Sequence, residues 1–435
     1  MQRSFLGIDF GTSGARAIVI NGDRVIQAES SIRFEPHPDS QSSDASLTTS
    51  WQQTLFDLIT QLPISLRQQI CSIAINGTSS TVLVCDEQGI PLHAPLLYND
   101  ARGAAMVDQI KSIAPANHTV ISATSSLAKL LWLAHQLDEH PKSKIQTLKS
   151  TYFLHQADWL SFLLHGKLGI SDYHNALKLG YNVEALCYPA WLQALPISFH
   201  LPDVLAPGTP IAPLQPEIAD RFSLPSECMV CAGTTDSIAA FLASGAQSPG
   251  EAVTSLGSTL VLKLLSQARV DRADYGIYSH RLGDLWLVGG ASNTGGAVLQ
   301  QFFSAAELQS LSQKINPDRP SALNYYPLLK PGERFPINDP HLAPCLQPRP
   351  TDSIEFLHGL LESIARIEAK GYQLLQDLGA TPLTIVYTAG GGAQNQIWSQ
   401  IRSRHLQVPV MISPHTEAAY GTALLAKTGF SLTIR

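Results

Sequence analysis

Phe5-Leu6-Gly7-Ile8-Asp9-Phe10-Gly11-Thr12-Ser13-Gly14-Ala15-Arg16-Ala17-Ile18-Val19-Ile20 reads as strand, glycine-rich turn, strand. Asn21-Gly22 follows as a two-residue hairpin signal, and Val25-Ile26 starts a third strand. A P-loop needs Gly-x-x-x-x-Gly-Lys-Ser/Thr feeding a helix, and a Rossmann unit needs Gly-x-Gly-x-x-Gly opening one. Neither is present, so phosphate binding at this turn would use its amides and hydroxyls. Asp9 at the strand end can hold Mg²⁺, directly or through water, while Thr12 and Ser13 donate to phosphate oxygens. It can equally be a turn cap, with the glycines serving the turn's geometry.

A similar pattern recurs near the middle. Ala252–Leu256 is strand-like, Gly257-Ser258 a turn, and Thr259–Leu265 a second strand, which suggests two related halves. Helical periodicity covers Trp51–Leu62 and Ser126–Leu137, the latter apolar at Leu127, Leu130, Leu131 and Ala134. Prolines at 196, 202, 207, 210, 213, 216 and 225 make residues 196–226 a loop-rich passage, and residues 316–350 read as irregular. Ser353–Leu378 is a long amphipathic helix, Pro382–Ala389 a strand, and Gly390-Gly391-Gly392 opens a helix over Asn395–His405.

At 435 residues, two or three domains are expected. With 44% hydrophobic residues the chain buries cores and is not disordered. Its net charge of −6, without a basic block, argues against nucleic acid or an anionic membrane as partner. No apolar run reaches the ~18–20 residues of a membrane span, and the start shows no signal-peptide pattern, so a cytoplasmic location is expected. Six scattered cysteines do not make a disulfide framework. Cys228-Met-Val-Cys231 lies in a strand-like run, where residues three apart point to opposite faces, which favours a structural reading.

Gly233-Thr234-Thr235-Asp236-Ser237 precedes an apolar helix. Asp236 is most simply its N-cap; its other role would be a general base that takes a proton from a sugar hydroxyl. Gly390–Gly392 would let backbone approach a flat ligand or phosphate, with Asn395 available for a hydrogen bond, or would be a bare loop. Ser126-x-x-Lys129 matches a β-lactamase pattern but lacks its companion motifs. The 14 histidines show no zinc-ligand spacing.

Taken in order, the Asp9 hairpin, Asp236, the Gly257-Ser258 hairpin and the Gly390–Asn395 loop resemble the FGGY family of carbohydrate kinases. Leu97-Tyr98-Asn99-Asp100-Ala101-Arg102, Lys129-Leu-Leu-Trp132, Ala157-Asp158-Trp159-Leu160 with Gly166, and Glu417-Ala-Ala-Tyr-Gly-Thr-Ala-Leu-Leu-Ala426 extend the resemblance over nearly the whole chain. It implies an α/β fold of two actin-like (ribonuclease H-like) domains with a central cleft. Residues 1–231 would be the sugar side and 232–435 the nucleotide side, with room for the last helix to pack back on the first domain.

The resemblance also implies roles. Asp236 would be the base; Asp9 would position Mg²⁺ and the γ-phosphate, with Gly11, Thr12 and Ser13 along the phosphates. Gly257, Ser258, Gly296, Gln300, Gly391 and Asn395 would contact ATP. Thr78, Ser79 and Tyr98, together with Asp9 and Asp236, would contact the sugar. Glycerol kinases carry Arg-Glu at Thr78-Ser79, and xylulose kinases usually carry Gln-Met-His-Gly near Asn76–Ser80. The stretch here is most similar to the compact cyanobacterial and plant group that prefers D-ribulose. The expectation is an ATP- and Mg²⁺-dependent ketopentose kinase, monomer or homodimer. D-xylulose is the alternative acceptor, and an actin- or Hsp70-like ATPase or sugar-responsive regulator the alternative class.

Overall fold

In the computed structural model the described residues are 3–34, 46–139 and 151–433. The chain divides into two compact units, Met1–Ala243 with Glu417–Arg435, and Ser244–Thr416.

The first unit is built on a six-stranded sheet. Strand β1 (Ser4–Phe10) pairs antiparallel with β2 (Gly14–Asn21), and β2 pairs antiparallel with β3 (Ile26–Arg33). On its other side β1 runs parallel to β4 (Ile70–Gly77), which runs parallel to Met229–Thr235. The second unit repeats this arrangement. Glu251–Leu256 pairs antiparallel with Leu260–Ser266, which pairs antiparallel with Leu285–Ser292, while Ile385–Ala389 and Val410–Ile412 follow in parallel on the other side. Five strands of each sheet follow one order, with the sixth added at opposite edges (Pro210–Pro213 in the first, Tyr278–Leu282 in the second), as two related halves read from the two hairpins would have it. Each sheet has helices on its faces, so the fold is α/β.

Alternation along β1 sets the two faces of its sheet. Leu6, Ile8 and Phe10 join one buried cluster, and Phe5 joins another with Ala419, Ala423 and Ala426 of the helix Ala418–Thr433. Gly7, on the Phe5 face, lets that helix approach, since a β-carbon there would overlap the backbone of Ala419 and Ala423. Gly421 does the same against Ala239. Gly421→Ala is therefore expected to destabilise the fold by about 1–3 kcal/mol through overpacking, read as a lower thermal midpoint. An unchanged midpoint would mean the helix simply shifts outward.

Several expectations change. The division between the units falls after Ala243, not after residue 231, because Met229–Thr235 is a strand of the first sheet. The Asn21-Gly22 signal yields a longer turn: the Asn21 side chain accepts from the amides of Asp23 and Val25, and β3 starts only at Ile26. Within the proline-rich passage, Pro210–Pro213 is an edge strand and Pro216 starts the helix Pro216–Phe222, two positions where a missing N–H costs nothing. Cys228 and Cys231 belong to different buried clusters, as opposite-facing residues should.

Candidate active site

Asp9 and Asp236 lie at the same end of one sheet. Asp9 is one residue from the end of β1, directly opposite Asn76 of β4, and Asn76 is opposite Thr234 of the strand that hands over to Asp236. The parallel spacing puts their two strands about 10 Å apart, with β4 between. Gly233 makes the last part of this geometry possible. A β-carbon there would run into the carbonyl of Ile75, and the register slips between Cys231 and Thr234. The helix Asp236–Ala243 then begins at the carboxylate itself, whose Oδ1 accepts from the amide of Ser237 at 2.6 Å.

Electrostatics ties the pair together. Burial pushes the Asp9 carboxyl up to about 7, and the charge of Asp236 adds to the shift; Arg16 and the Asn76 carboxamide pull the other way. Arg16, the cross-strand partner of Asp9, pairs with Glu417 just before the last helix. Asp9 Oδ1 and Asn76 Oδ1 are both buried and have no hydrogen-bond partner among the described residues. A native protein rarely leaves such an oxygen unsatisfied. A lone carboxylate oxygen in this state suits a hard cation that completes its shell with phosphate and water. No group of three or more metal-ligating side chains occurs among the described residues.

The other predicted residues of this unit divide. Thr12 and Ser13 are exposed on the β1–β2 turn, which closes through Gly11 N–H to Gly14 O at 3.0 Å. Tyr98 is exposed and Ser79 half-buried. Thr78 is buried, with its hydroxyl 2.5 Å from that of Thr81 and 3.2 Å from Gln156 Oε1.

Sequence reading assigned no individual role to four neighbours. Asn76 is one. Ser80 sits at φ 63° with a buried Oγ that has no partner among the described residues. Asn175 donates to Asp172 at 2.6 Å, and its own Oδ1 has no partner among the described residues. Lys178 is half-buried; burial lowers its pKa while Asp236 raises it. Its turn is held to the Asp236 strand by His174, whose Nδ1 lies 2.7 Å from Thr234 Oγ1. Asn76 and Ser80 lie in the stretch read for acceptor choice but were given no role of their own, and nothing in the linear sequence marks Asn175 or Lys178.

In the second unit, glycines gather at the end of Glu251–Leu256. Gly296 N–H donates to Gly257 O at 2.8 Å, and Ala297 N–H to Ser258 O at 3.2 Å. A β-carbon on Gly390 would sit 2.7 Å from Leu256 O, whereas one on Gly391 would meet nothing within 4 Å. Gln300 is exposed on the helix Gly296–Phe302. Asn395 caps the helix Gln396–Leu406 by accepting from Trp398 N–H at 3.0 Å, and its Nδ2 donates to Ser312 at 2.8 Å. That cap, with the short turn Gly391–Gln394 before it, starts the helix one residue later than expected.

One apparent catalytic array is a brace. Ser126 Oγ lies 3.2 Å from His155 Nε2, and His155 Nδ1 lies 2.9 Å from Asp158. Ser126 and His155 are both 0% exposed, so no substrate reaches the hydroxyl.

Comparison with known proteins agrees with this layout. Residues 4–243 match the N-terminal domain, and residues 252–429 the C-terminal domain, of the FGGY family of carbohydrate kinases. The chain is 23% identical to the xylulose kinase of Staphylococcus xylosus, over 98% of this chain and 90% of that protein. It is 26% identical to the autoinducer-2 kinase of Yersinia enterocolitica, over 98% and 86%. The crystal structure of a xyloylose kinase from Brucella ovis shares the fold with a TM-score of 0.83, at 22% identity over 99% of this chain and 91% of that one. With both family domains matched in order along almost all of its length, the chain belongs to the FGGY family of carbohydrate kinases.

Proposed function

We propose that this carbohydrate kinase transfers the γ-phosphate of ATP to the terminal hydroxyl of a ketopentose, most specifically D-ribulose at O5. The observation that carries the proposal is the Asp9–Asp236 pair, two carboxylates at one sheet end whose charges act on each other. Asp236 orients the acceptor hydroxyl and takes its proton, which improves the nucleophile. Asp9, with its unsatisfied Oδ1, is the residue to hold Mg²⁺. Mg²⁺ supplies neutralisation of the charge on the phosphoryl oxygens. In the first unit, taken by itself, the exposed hydroxyls of Thr12 and Ser13 are donors for phosphate oxygens; in the second, taken by itself, the glycine turns at Gly257–Ser258, Gly296 and Gly391 allow close backbone approach to a nucleotide. The unit Met1–Ala243 is assigned the sugar and Ser244–Thr416 the nucleotide.

Support for D-ribulose is the Asn76-Gly77-Thr78-Ser79-Ser80 stretch, which lacks the signatures of the glycerol and xylulose groups. D-xylulose is the second reading, favoured by the xylulose kinase among the relatives. The test is ADP release with Mg-ATP and D-ribulose, D-xylulose, L-ribulose, glycerol or no sugar. Stimulation above the blank that is greatest with D-ribulose is expected. Preference for D-xylulose would keep the mechanism and replace the acceptor; release equal to the blank with every sugar would sink the ketopentose reading.

A further inference from the structure

Lys129 is a lysine with 0% exposure, on the helix Ser126–Glu139, whose ammonium is surrounded by backbone carbonyls. Nζ lies 2.7 Å from Ser80 O, 2.6 Å from Leu97 O and 3.4 Å from Tyr98 O. The two segments it joins are paired further on by an antiparallel bridge, with Val82 N–H to Leu96 O at 3.0 Å and Leu96 N–H to Val82 O at 2.8 Å. Beyond that bridge the ladder stops. Thr81 O instead accepts from the amide of Gln156, and Ser80 turns into the left-handed region. Where the ladder would have continued, an ammonium stands between Ser80 and Leu97–Tyr98.

Burying an ammonium is costly, and an apolar side chain of similar length would fill the same space more cheaply. What Lys129 adds is a donor group within reach of three carbonyls that holds two irregular segments at one separation, although burial pushes its pKa down to about 7 against the pull of Asp100. Ser80 carries a buried Oγ with no partner among the described residues, and Tyr98 is exposed at the far side of the tie. We propose that Lys129 is a positioning residue for the acceptor sugar: its ammonium spaces the Thr78–Ser80 turn from Tyr98 and so sets the width of the pocket that selects between ketopentoses. This inference rests on the proposed reading in which those segments contact the sugar.

The experiment is steady-state kinetics of Lys129→Met and Lys129→Gln with D-ribulose, D-xylulose and ATP as varied substrates. Methionine matches the apolar stem of lysine and removes every donor; glutamine keeps two N–H groups. Lys129→Met is expected to raise the KM for sugar at least tenfold, with kcat falling less, and to narrow the preference between the two pentuloses. The KM for ATP should stay within twofold. Lys129→Gln is expected to recover part of the sugar affinity, and it decides the question if Lys129→Met does not fold. Unchanged sugar KM and preference with only a lower melting temperature would overturn the role, as would equal rises in both KM values. The wild type separates the two levels: turnover of a pentulose with a normal sugar KM in both variants overturns the positioning role alone. No turnover of either pentulose by the wild type overturns the functional reading and this role with it.

Discussion

Asp236→Asn is expected to lower kcat/KM for the acceptor sugar by about 10³-fold while leaving MgADP binding unchanged. A positioned general base contributes roughly 10²–10⁴-fold, so this loss corresponds to about 4 kcal/mol of barrier. Asparagine separates the two roles that the sequence alone leaves open. It caps a helix start about as well as aspartate, so a residue that only begins Asp236–Ala243 should tolerate the change with little loss of stability or activity. Asparagine cannot accept the proton, so a base should not tolerate it. Activity within tenfold of wild type would return Asp236 to the role of a cap.

Asp9→Asn should abolish sugar phosphorylation yet make the metal-free protein more stable at pH 8. The sign follows from linkage. The folded carboxyl titrates at about 7 against 3.8 for its unperturbed value, so between about pH 4 and 7 the folded state keeps a proton that the unfolded chain has released. Wild-type stability therefore falls as pH rises through that window, and above it the full cost of the buried charge is present. About three pKa units at roughly 1.4 kcal/mol each set an upper limit near 4 kcal/mol. A gain on the order of 2–4 kcal/mol at pH 8 is expected for the variant, with the two proteins converging near pH 4. Denaturation curves with a chelator at pH 4, 6 and 8 measure it. Added Mg²⁺ should narrow the gap at pH 8 by stabilising only the wild type. Equal stability at all three pH values would show that Asp9 carries no strained charge.

Much of this molecule is local, and so it was readable. The hairpins at Asp9 and Gly257 announce themselves because a strand's two-residue period and a turn's glycines are properties of neighbours in the chain. The helix at Ser353 was readable for the same reason: its apolar stripe repeats over 25 residues, and only its last residue differs from expectation. The boundary between the units was not legible. Met229–Thr235 could be recognised as a strand, but which sheet it joins depends on pairing with Ile70–Gly77, some 150 residues away. The four polar neighbours of the site that sequence reading left without a role share this cause. Asn76 matters because β4 sets it beside Asp9, and Lys178 because His174 holds its turn to Thr234.

Lys129 draws the line most sharply. In sequence it sits in an amphipathic helix and in a Ser-x-x-Lys coincidence that carries no chemistry here. Folding seals Ser126 away from any substrate and brings the ammonium to three carbonyls of two other segments. Sequence alone determined the α/β class, the repeated hairpin, the kinase family resemblance and Asp9 and Asp236 as the carboxylates to watch. The hairpin follows from residue type and short-range order; the α/β class and the choice of the two carboxylates came with the family resemblance. Tertiary structure alone decided that the two carboxylates share one sheet end, that one is charged only at a cost, and which buried polar groups lie beside them. Burial and Coulomb interactions depend on distance in space, and the chain folds residues far apart in sequence to within that range.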